Sequence, residues 1–130
     1  MGRLKNCGEL SIIFVSDPEI KRINKQFLKK NNPTDVIAFN YTPILRAARA
    51  KENIKKIPFG DIYISVESAR KQAKNGGHGL LQELALLILH GLLHLAGYED
   101  ETVSKRKNMF RAQKKLFRKI NPKLAPPDFR

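Results

Sequence analysis

The sequence predicts an α/β or α+β fold, with a small mixed sheet flanked by about four helices in a single domain. Short segments rich in β-branched and aromatic residues alternate with longer segments of helical apolar periodicity. The run from Leu80 to Ala96 is apolar on nearly every face, which is typical of a central helix. A chain of 130 residues is also long enough to bury one hydrophobic core.

The first part of the chain alternates strand, helix and strand. Gly8–Asp17 contains four consecutive large apolar residues and predicts a buried strand. A helix within Ser16–Asn32 begins with Ser16 or Asp17 as its N-cap. Thr34–Tyr41 predicts the second strand. The residues of the helix that recur at core-facing spacing are Ile20, Ile23, Phe27 and Leu28.

The second part predicts one more strand and three helices. Thr42–Pro58 is either a basic loop or a short helix between prolines. Phe59–Glu67 predicts the third strand, and Ser68–Lys74 begins a helix that glycines end. After the apolar helix, a last helix runs from about Thr102 to Ile120, and residues 121–130 form a flexible, basic, proline-rich tail. The inward side of the last helix comprises Met109, Phe110, Gln113, Leu116, Phe117 and Ile120.

The charge balance indicates a polyanionic partner. Lys and Arg total 25 against 12 Asp and Glu, which gives a net charge of +13. Such a field attracts RNA, DNA or anionic membrane surfaces, although basic side chains can also serve solubility alone. The sequence has no apolar run long enough to span a bilayer and no signal-peptide core, and Cys7 is its single cysteine. We therefore expect a cytoplasmic protein with neither a membrane nor a disulfide-linked partner.

The stretch HGLLHLAGYED carries the residues with metal-binding chemistry. His90 and His94 are four residues apart on the predicted central helix, so both imidazoles project from one face within reach of one ion. Gly97 follows where the chain must turn, and Glu99 or Asp100 can then return toward the same point. Two nitrogens and one carboxylate leave a position open for water, as hydrolytic zinc sites require.

The histidine pair also has a purely structural interpretation, in which both rings are core residues bonded to backbone or side chains. Glu83, seven residues before His90 on the same helical face, is either a hydrogen-bond partner for it or a partly exposed anchor. Gly91 occupies the position where the helical metalloprotease motif has its glutamate base. That glycine argues against a peptidase.

HGLLHLAGYED closely resembles the H-G-x-L-H-L-x-G-Y-D-H signature of the YbeY family of rRNA-maturation endoribonucleases. Upstream, INKQFLKKNNPTDVIAFN is similar to the family's helix-to-strand segment with its P-T-D-V core, and FGDIYIS is similar to its G-D strand. The order and spacing of the three blocks agree, and together they cover roughly Gly8 to Lys119.

The resemblance implies a zinc-dependent endoribonuclease of single-stranded RNA that acts in ribosomal RNA maturation and ribosome quality control. By position, the ligands of the family's single zinc ion correspond to His90, His94 and Asp100 in this chain. The resemblance also implies that the two histidines are catalytic residues. Asp61 in the G-D strand is either an outer partner of a ligand histidine or an acid that caps a turn at the start of the strand, and Glu99 is a second candidate outer partner. The implied partners are ribosomal RNA and the small ribosomal subunit.

The chain departs from the family pattern at three positions. Asp100 stands where histidine is usual, and a carboxylate ligand would blunt the ability of the metal to acidify water. Leu28 replaces an arginine of the RNA groove, and Ala38 replaces a serine. The family's first strand and helix are expected to be absent, because only about nine residues precede the first block. These departures support the alternative of a weakened or inactive member that acts as an RNA- or ribosome-binding assembly factor.

The basic residues expected to hold RNA lie near the first helix, in the Thr42–Pro58 segment and on the last helix. Their contacts with phosphate would make binding strongly dependent on salt. They are Lys29, Lys30, Arg46, Arg49, Lys105, Arg106, Arg111, Lys114, Lys115 and Arg118.

Overall fold

Three strands form a mixed sheet in the order β1–β3–β2. They are β1 at Leu10–Val15, β2 at Val36–Asn40 and β3 at Gly60–Ser65. β1 pairs with β3 in parallel, and β2 pairs with β3 in antiparallel orientation. The structure is a computed structural model, and it describes residues 9–28, 34–40 and 60–120.

Four helices accompany this sheet in the described residues: α1 at Asp17–Leu28, α2 at Val66–Gly76, α3 at Leu80–Leu95 and α4 at Val103–Ile120. Their ends follow local capping chemistry. The hydroxyl of Ser16 accepts a hydrogen bond from the backbone N–H of Glu19 at 3.3 Å at the start of α1. Gly77 ends α2 with a φ of 71°, a left-handed conformation that glycine adopts without strain.

A polar cluster joins the start of α1 to the start of α2. The carboxylate of Asp17 accepts hydrogen bonds from the hydroxyls of Ser65 and Ser68, the latter at 2.6 Å. The Nζ atom of Lys71 lies 3.9 Å from the same carboxylate. The hydroxyl donors, aided by that ammonium group, hold the pKa of Asp17 below its ordinary value.

The apolar helix α3 lies against the sheet and places its own residues in the core. Ile62 and Ile64 of β3 are fully buried and pack with Leu87 and Leu95 of α3. The helix lies close to the sheet at Gly91, where an added Cβ atom would lie only 2.9 Å from Cγ2 of Ile62. This close approach fixes which face of α3 is turned away from the sheet.

These observations confirm the predicted fold class, a small mixed sheet with helices and a central apolar helix. The prediction that the first strand is buried is wrong for part of it. Ile12 is 39 % exposed and Phe14 is 53 % exposed. β1 lies at an edge of the sheet, whereas α3 packs against β2 and β3.

Two predicted core positions on helices are also wrong. Phe27 is 61 % exposed, and its ring meets the edge of Phe39 at a centroid separation of 5.9 Å. The buried positions of α1 are Ile20 and Asn24, one helical turn apart. Ile120 is 67 % exposed because it is the last residue of α4.

Several predicted features lie outside the described residues. They include the Thr42–Pro58 segment, the tail at 121–130, the family's missing first elements and the side chain of Leu28. In the part of the chain that is described, no single helix is long and apolar enough to cross a membrane. Within the described ranges, one bent pair of helices, α2 and α3, passes that test by length and composition, across a bend of 116°.

Candidate metal centre

The last turns of α3 bring two imidazole rings together. His90 and His94 lie one turn apart, and their Nε2 atoms are 3.0 Å from each other. The rings meet edge to face, with an interplanar angle of 81° and centroids 4.6 Å apart. The expectation that both histidines project from one face is therefore met by the backbone geometry of a regular helix.

The turn after α3 returns the chain toward these rings. Gly97 has a φ of 101°, and its N–H donates to the carbonyl of His94 at 3.0 Å. Tyr98 donates its N–H to the carbonyl of Leu93 at 2.9 Å, which closes the helix end. Three residues after the glycine, Asp100 Oδ2 lies 3.8 Å from Nε2 of His94 and 3.9 Å from Nε2 of His90.

Hydrogen bonds on the far side of each ring assign the imidazole protons. Nδ1 of His90 lies 3.1 Å from Oε1 of Gln113, and Nδ1 of His94 lies 3.1 Å from the carbonyl oxygen of Tyr98. Both partners are acceptors, so each Nδ1 donates and each Nε2 carries a lone pair. Two such lone pairs facing each other at 3.0 Å repel unless a cation or a proton lies between them. The arrangement therefore suits a bound cation.

The local electrostatics also favour the neutral form of the His94 imidazole. Burial lowers the pKa of His94 below its ordinary value, and the neighbouring His90 lowers it further. Asp100 acts in the opposite direction but does not reverse the shift. At neutral pH, His94 is thus a free base that can donate its Nε2 lone pair.

The donor set fits a divalent ion of the zinc type. One ligand atom from each of His90, His94 and Asp100 lies within 4.8 Å of the other two. Ligand atoms around tetrahedral zinc are about 3.3 Å apart, so Asp100 would need to approach the histidines by about half an ångström. Asp100 is exposed and follows a turn, so a shift of this size is easily accommodated.

Beside His90, a cavity of about 190 Å³ gives access to this cluster. Asp35 lies just before β2 and lines the same cavity. The remaining lining residues are Val36, Leu86, Leu87, Asp100, Phe110 and Gln113. A ligand held by the two histidines and Asp100 would therefore have an open side.

The two predicted outer partners, Glu99 and Asp61, lie after α3 and in β3, respectively. Glu99 forms an exposed ion pair with Lys105 at 2.6 Å, which lowers the pKa of Glu99 and raises that of Lys105. Asp61 is a partly buried residue of β3 in register with Ser11 of β1, and its role toward the ligands stays a prediction.

Glu83 is not a hydrogen-bond partner of His90. It is fully buried, and its Oε1 lies 2.9 Å from Nε2 of His78. Both nitrogens of His90 face other groups, Gln113 and His94. The interpretation of Glu83 as a partner of His90, or as a partly exposed anchor, is therefore wrong.

Sequence reasoning placed Gln113 on the inward side of α4 but gave it no role. Gln113 is buried beside Met109 and Phe117. A buried amide needs a hydrogen-bond partner, and its place on the inward side of α4 could have indicated that Gln113 bonds a functional group. The carbonyl of Tyr98 carries no such signal, because any residue has one.

The basic residues predicted on α4 are all exposed, namely Lys105, Arg106, Arg111, Lys114, Lys115 and Arg118. Lys29, Lys30, Arg46 and Arg49 lie outside the described residues. Ala38 is a partly buried residue of β2 in register with Ile62.

Comparison with known proteins identifies the family of the chain. The family model described as Endoribonuclease YbeY matches residues 2–121. The Endoribonuclease YbeY of Bacillus licheniformis is 41 % identical over 110 residues, which cover 84 % of this chain and 70 % of that protein. The Acholeplasma laidlawii protein of the same name is 36 % identical over 120 residues, covering 92 % of this chain and 80 % of the relative.

A solved structure shows the same likeness. The solution structure of a protein from Thermotoga maritima matches with a TM-score of 0.57 and 28 % sequence identity, covering 92 % of this chain and 72 % of that one. The family model spans nearly the whole chain, and the relatives named Endoribonuclease YbeY exceed 30 % identity over most of their length. The chain belongs to the YbeY endoribonuclease family.

Proposed function

We propose that this protein is a metal-dependent endoribonuclease that cleaves single-stranded RNA, with one zinc ion held by His90, His94 and Asp100. The observation that carries the proposal is the convergence of two Nε2 lone pairs and a carboxylate at the edge of an accessible cavity. Relatives named as endoribonucleases supply the reaction class.

The protein's own groups prepare this site before any substrate arrives. Gln113 and the Tyr98 carbonyl hold the Nδ1 protons, so the rings stay oriented with Nε2 toward Asp100. When bound, a divalent ion would polarise a phosphoryl oxygen and acidify a water molecule. Exposed cations on α4 attract the RNA backbone toward the cluster.

The geometry also supports a nuclease over a peptidase. Gly91 follows His90, and an added Cβ at this position would collide with Ile62 of the central strand. A glutamate base therefore cannot occupy the position that it has in helical metalloproteases. A metallopeptidase of that type would need its base from elsewhere.

We further propose that the substrate is ribosomal RNA, that the protein acts with the small ribosomal subunit, and that it works in the cytoplasm. The net charge of +13 supports binding to so large a polyanion. Sedimentation of the tagged protein with small subunits at low salt, and its release at high salt, would support this assignment. Failure to sediment with them at any salt concentration would contradict it.

The cleavage assay compares a labelled single-stranded RNA with the same RNA in a duplex. Protein stripped with a chelator should be inactive, and added zinc should restore cleavage of the single strand. His94→Ala should stay inactive with zinc, whereas Glu101→Ala, which removes an exposed acid beside Asp100, should retain activity. Equal cleavage by stripped and zinc-loaded protein would refute the metal-dependent mechanism.

A second function is favoured by one observation, the carboxylate at position 100. A carboxylate lowers the net charge of the site and so weakens acidification of water. In that case the protein would bind RNA or ribosomes as an assembly factor without turnover. Tight, salt-sensitive RNA binding by zinc-loaded protein that shows no cleavage above the stripped control would select this function.

A further inference from the structure

We propose, building on the nuclease function above, that Tyr98 and one face of α4 bind a nucleotide of single-stranded RNA beside the metal centre. A groove separates the tyrosine from the helix and is here called the Tyr98 groove. It is lined by Tyr98, Asn108, Arg111, Ala112 and Lys115.

Tyr98 presents its ring from a fixed backbone. Its N–H donates to the carbonyl of Leu93 at 2.9 Å, and its carbonyl accepts from Nδ1 of His94 at 3.1 Å. The side chain is nevertheless 40 % exposed. An aromatic ring on a backbone held in this way, two residues before Asp100, can stack on a base with little loss of backbone conformational entropy.

The α4 side of the groove supplies groups that suit a nucleotide. Asn108, Arg111, Ala112 and Lys115 are spaced three, four and seven residues apart, so they share one helical face. The small side chain of Ala112 leaves room between the longer ones. This spacing places an amide donor and two cations opposite the ring.

The two cations of the groove are available for phosphate. Arg111 and Lys115 are exposed, and among residues 9–28, 34–40 and 60–120 neither has a carboxylate partner. Lys105 differs, because its Nζ atom lies 2.6 Å from Glu99. A phosphate that reaches Arg111 or Lys115 therefore displaces no ion pair within these described ranges.

The chemistry of the groove selects a single strand. A ring can stack only on a base whose face is free, and a duplex hides both faces of each base inside the stack. Stacking tolerates any base, so the groove should position the strand without reading its sequence.

The test measures the dissociation constant of a fluorescent single-stranded RNA oligonucleotide by anisotropy, with the full chain in chelator so that no cleavage intervenes. Tyr98→Ala should weaken binding by about fivefold or more, whereas Tyr98→Phe should stay within about twofold of the parent. Tyr98→Leu keeps an apolar side chain without a π-face and should lose affinity as alanine does. All three variants keep the backbone carbonyl that holds His94.

Two lysine substitutions on α4 test whether the cations of the groove contribute to RNA binding. Lys115→Ala should weaken binding by about threefold or more, and Lys107→Ala, which removes the same charge from a residue of α4 outside the groove, should have a smaller effect. Parent-like affinity in both Tyr98→Ala and Tyr98→Leu would overturn the proposal. Equal losses in the two lysine variants, or an equal loss for a duplex in Tyr98→Ala, would also overturn it.

The outcomes separate this site from the nuclease function. Tyr98-dependent binding by a zinc-loaded protein that cleaves no RNA would support the groove and refute the nuclease. Zinc-dependent cleavage with binding that is indifferent to Tyr98 would support the nuclease and refute the groove.

Discussion

The amide oxygen of Gln113 lies 3.1 Å from Nδ1 of His90, and this contact ties α4 to the metal centre on α3. Gln113 is 2 % exposed, so the hydrogen bond is shielded from water. It fixes the tautomer and the rotation of a ring whose other nitrogen faces His94. A buried amide on one helix thus prepares a ligand on the next.

Loss of this amide should weaken metal binding. Gln113→Leu removes the acceptor for the His90 proton, and we expect zinc affinity to fall by about 10- to 100-fold. Gln113→Glu keeps an acceptor and should bind zinc at least as tightly as the parent. Competition with a chromophoric chelator measures each affinity.

Gln72→Leu is the matched control for that substitution. The buried Oε1 of Gln72 accepts no hydrogen bond from the described residues, so its loss should leave zinc affinity unchanged. Parent-like affinity in Gln113→Leu, or an equal loss in Gln72→Leu, would show that Gln113 does not position His90.

The residue at position 100 should control both affinity and rate. Asp100→Ala leaves only two histidine ligands, and zinc affinity should fall by about tenfold or more. Asp100→His keeps three ligands without the negative charge, so zinc should bind and RNA cleavage should rise. Zinc titrations and initial cleavage rates check the two expectations, and unchanged zinc affinity in Asp100→Ala would exclude this carboxylate as a ligand.

The packing of α3 on β3 should depend on the missing side chain at Gly91. In Gly91→Ala the added Cβ would lie 2.9 Å from Cγ2 of Ile62, a β-branched residue of the central strand that cannot easily move. We expect a loss of about 1–3 kcal/mol in the free energy of unfolding, measured by urea denaturation.

A double mutant tests whether a collision with Ile62 causes the loss of stability in Gly91→Ala. Ile62→Ala alone should cost about 2–5 kcal/mol, and adding Gly91→Ala should then cost less than it does in the parent. At Gly79 an added Cβ would have 3.7 Å to the nearest atom, so Gly79→Ala should cost less than Gly91→Ala. Additive losses at Gly91 and Ile62 would contradict the predicted collision.

The stability of the fold should depend on the ionisation of Asp17. The folded-state pKa of this carboxyl is lowered by the hydroxyls of Ser65 and Ser68 and then by Lys71. The unfolded chain therefore takes up the proton first as the pH falls. Asp17 contributes stability that is present above its ordinary pKa of 3.8 and disappears as the pH falls through the lower folded value.

Asp17→Asn should accordingly reduce the free energy of unfolding at about pH 7 by about 1 kcal/mol. The difference between parent and variant should shrink as the pH drops below 3.8, because the parent carboxyl is then protonated as well. Chemical denaturation over that pH range measures it. A difference that stays constant down to the lowest pH would indicate that ionisation plays no part.

Local periodicity was enough to predict the elements that form the site. The spacing of His90 and His94 fixes their common face wherever that helix lies, and Gly97 marks the turn that returns Asp100. The partner of His90 could not be predicted, since Gln113 reaches it only through the packing of α4 on α3. The exposure of Phe14 was missed for a related reason, because an apolar run does not reveal a strand's position in the sheet.

The central claim is that His90, His94 and Asp100 hold one divalent ion. Elemental analysis of the protein after zinc loading and desalting tests it most directly, with His90→Ala and His94→Ala prepared in parallel. We predict about one zinc per chain in the parent and little zinc in either variant. A parent without zinc, or variants that retain as much zinc as the parent, would contradict the claim.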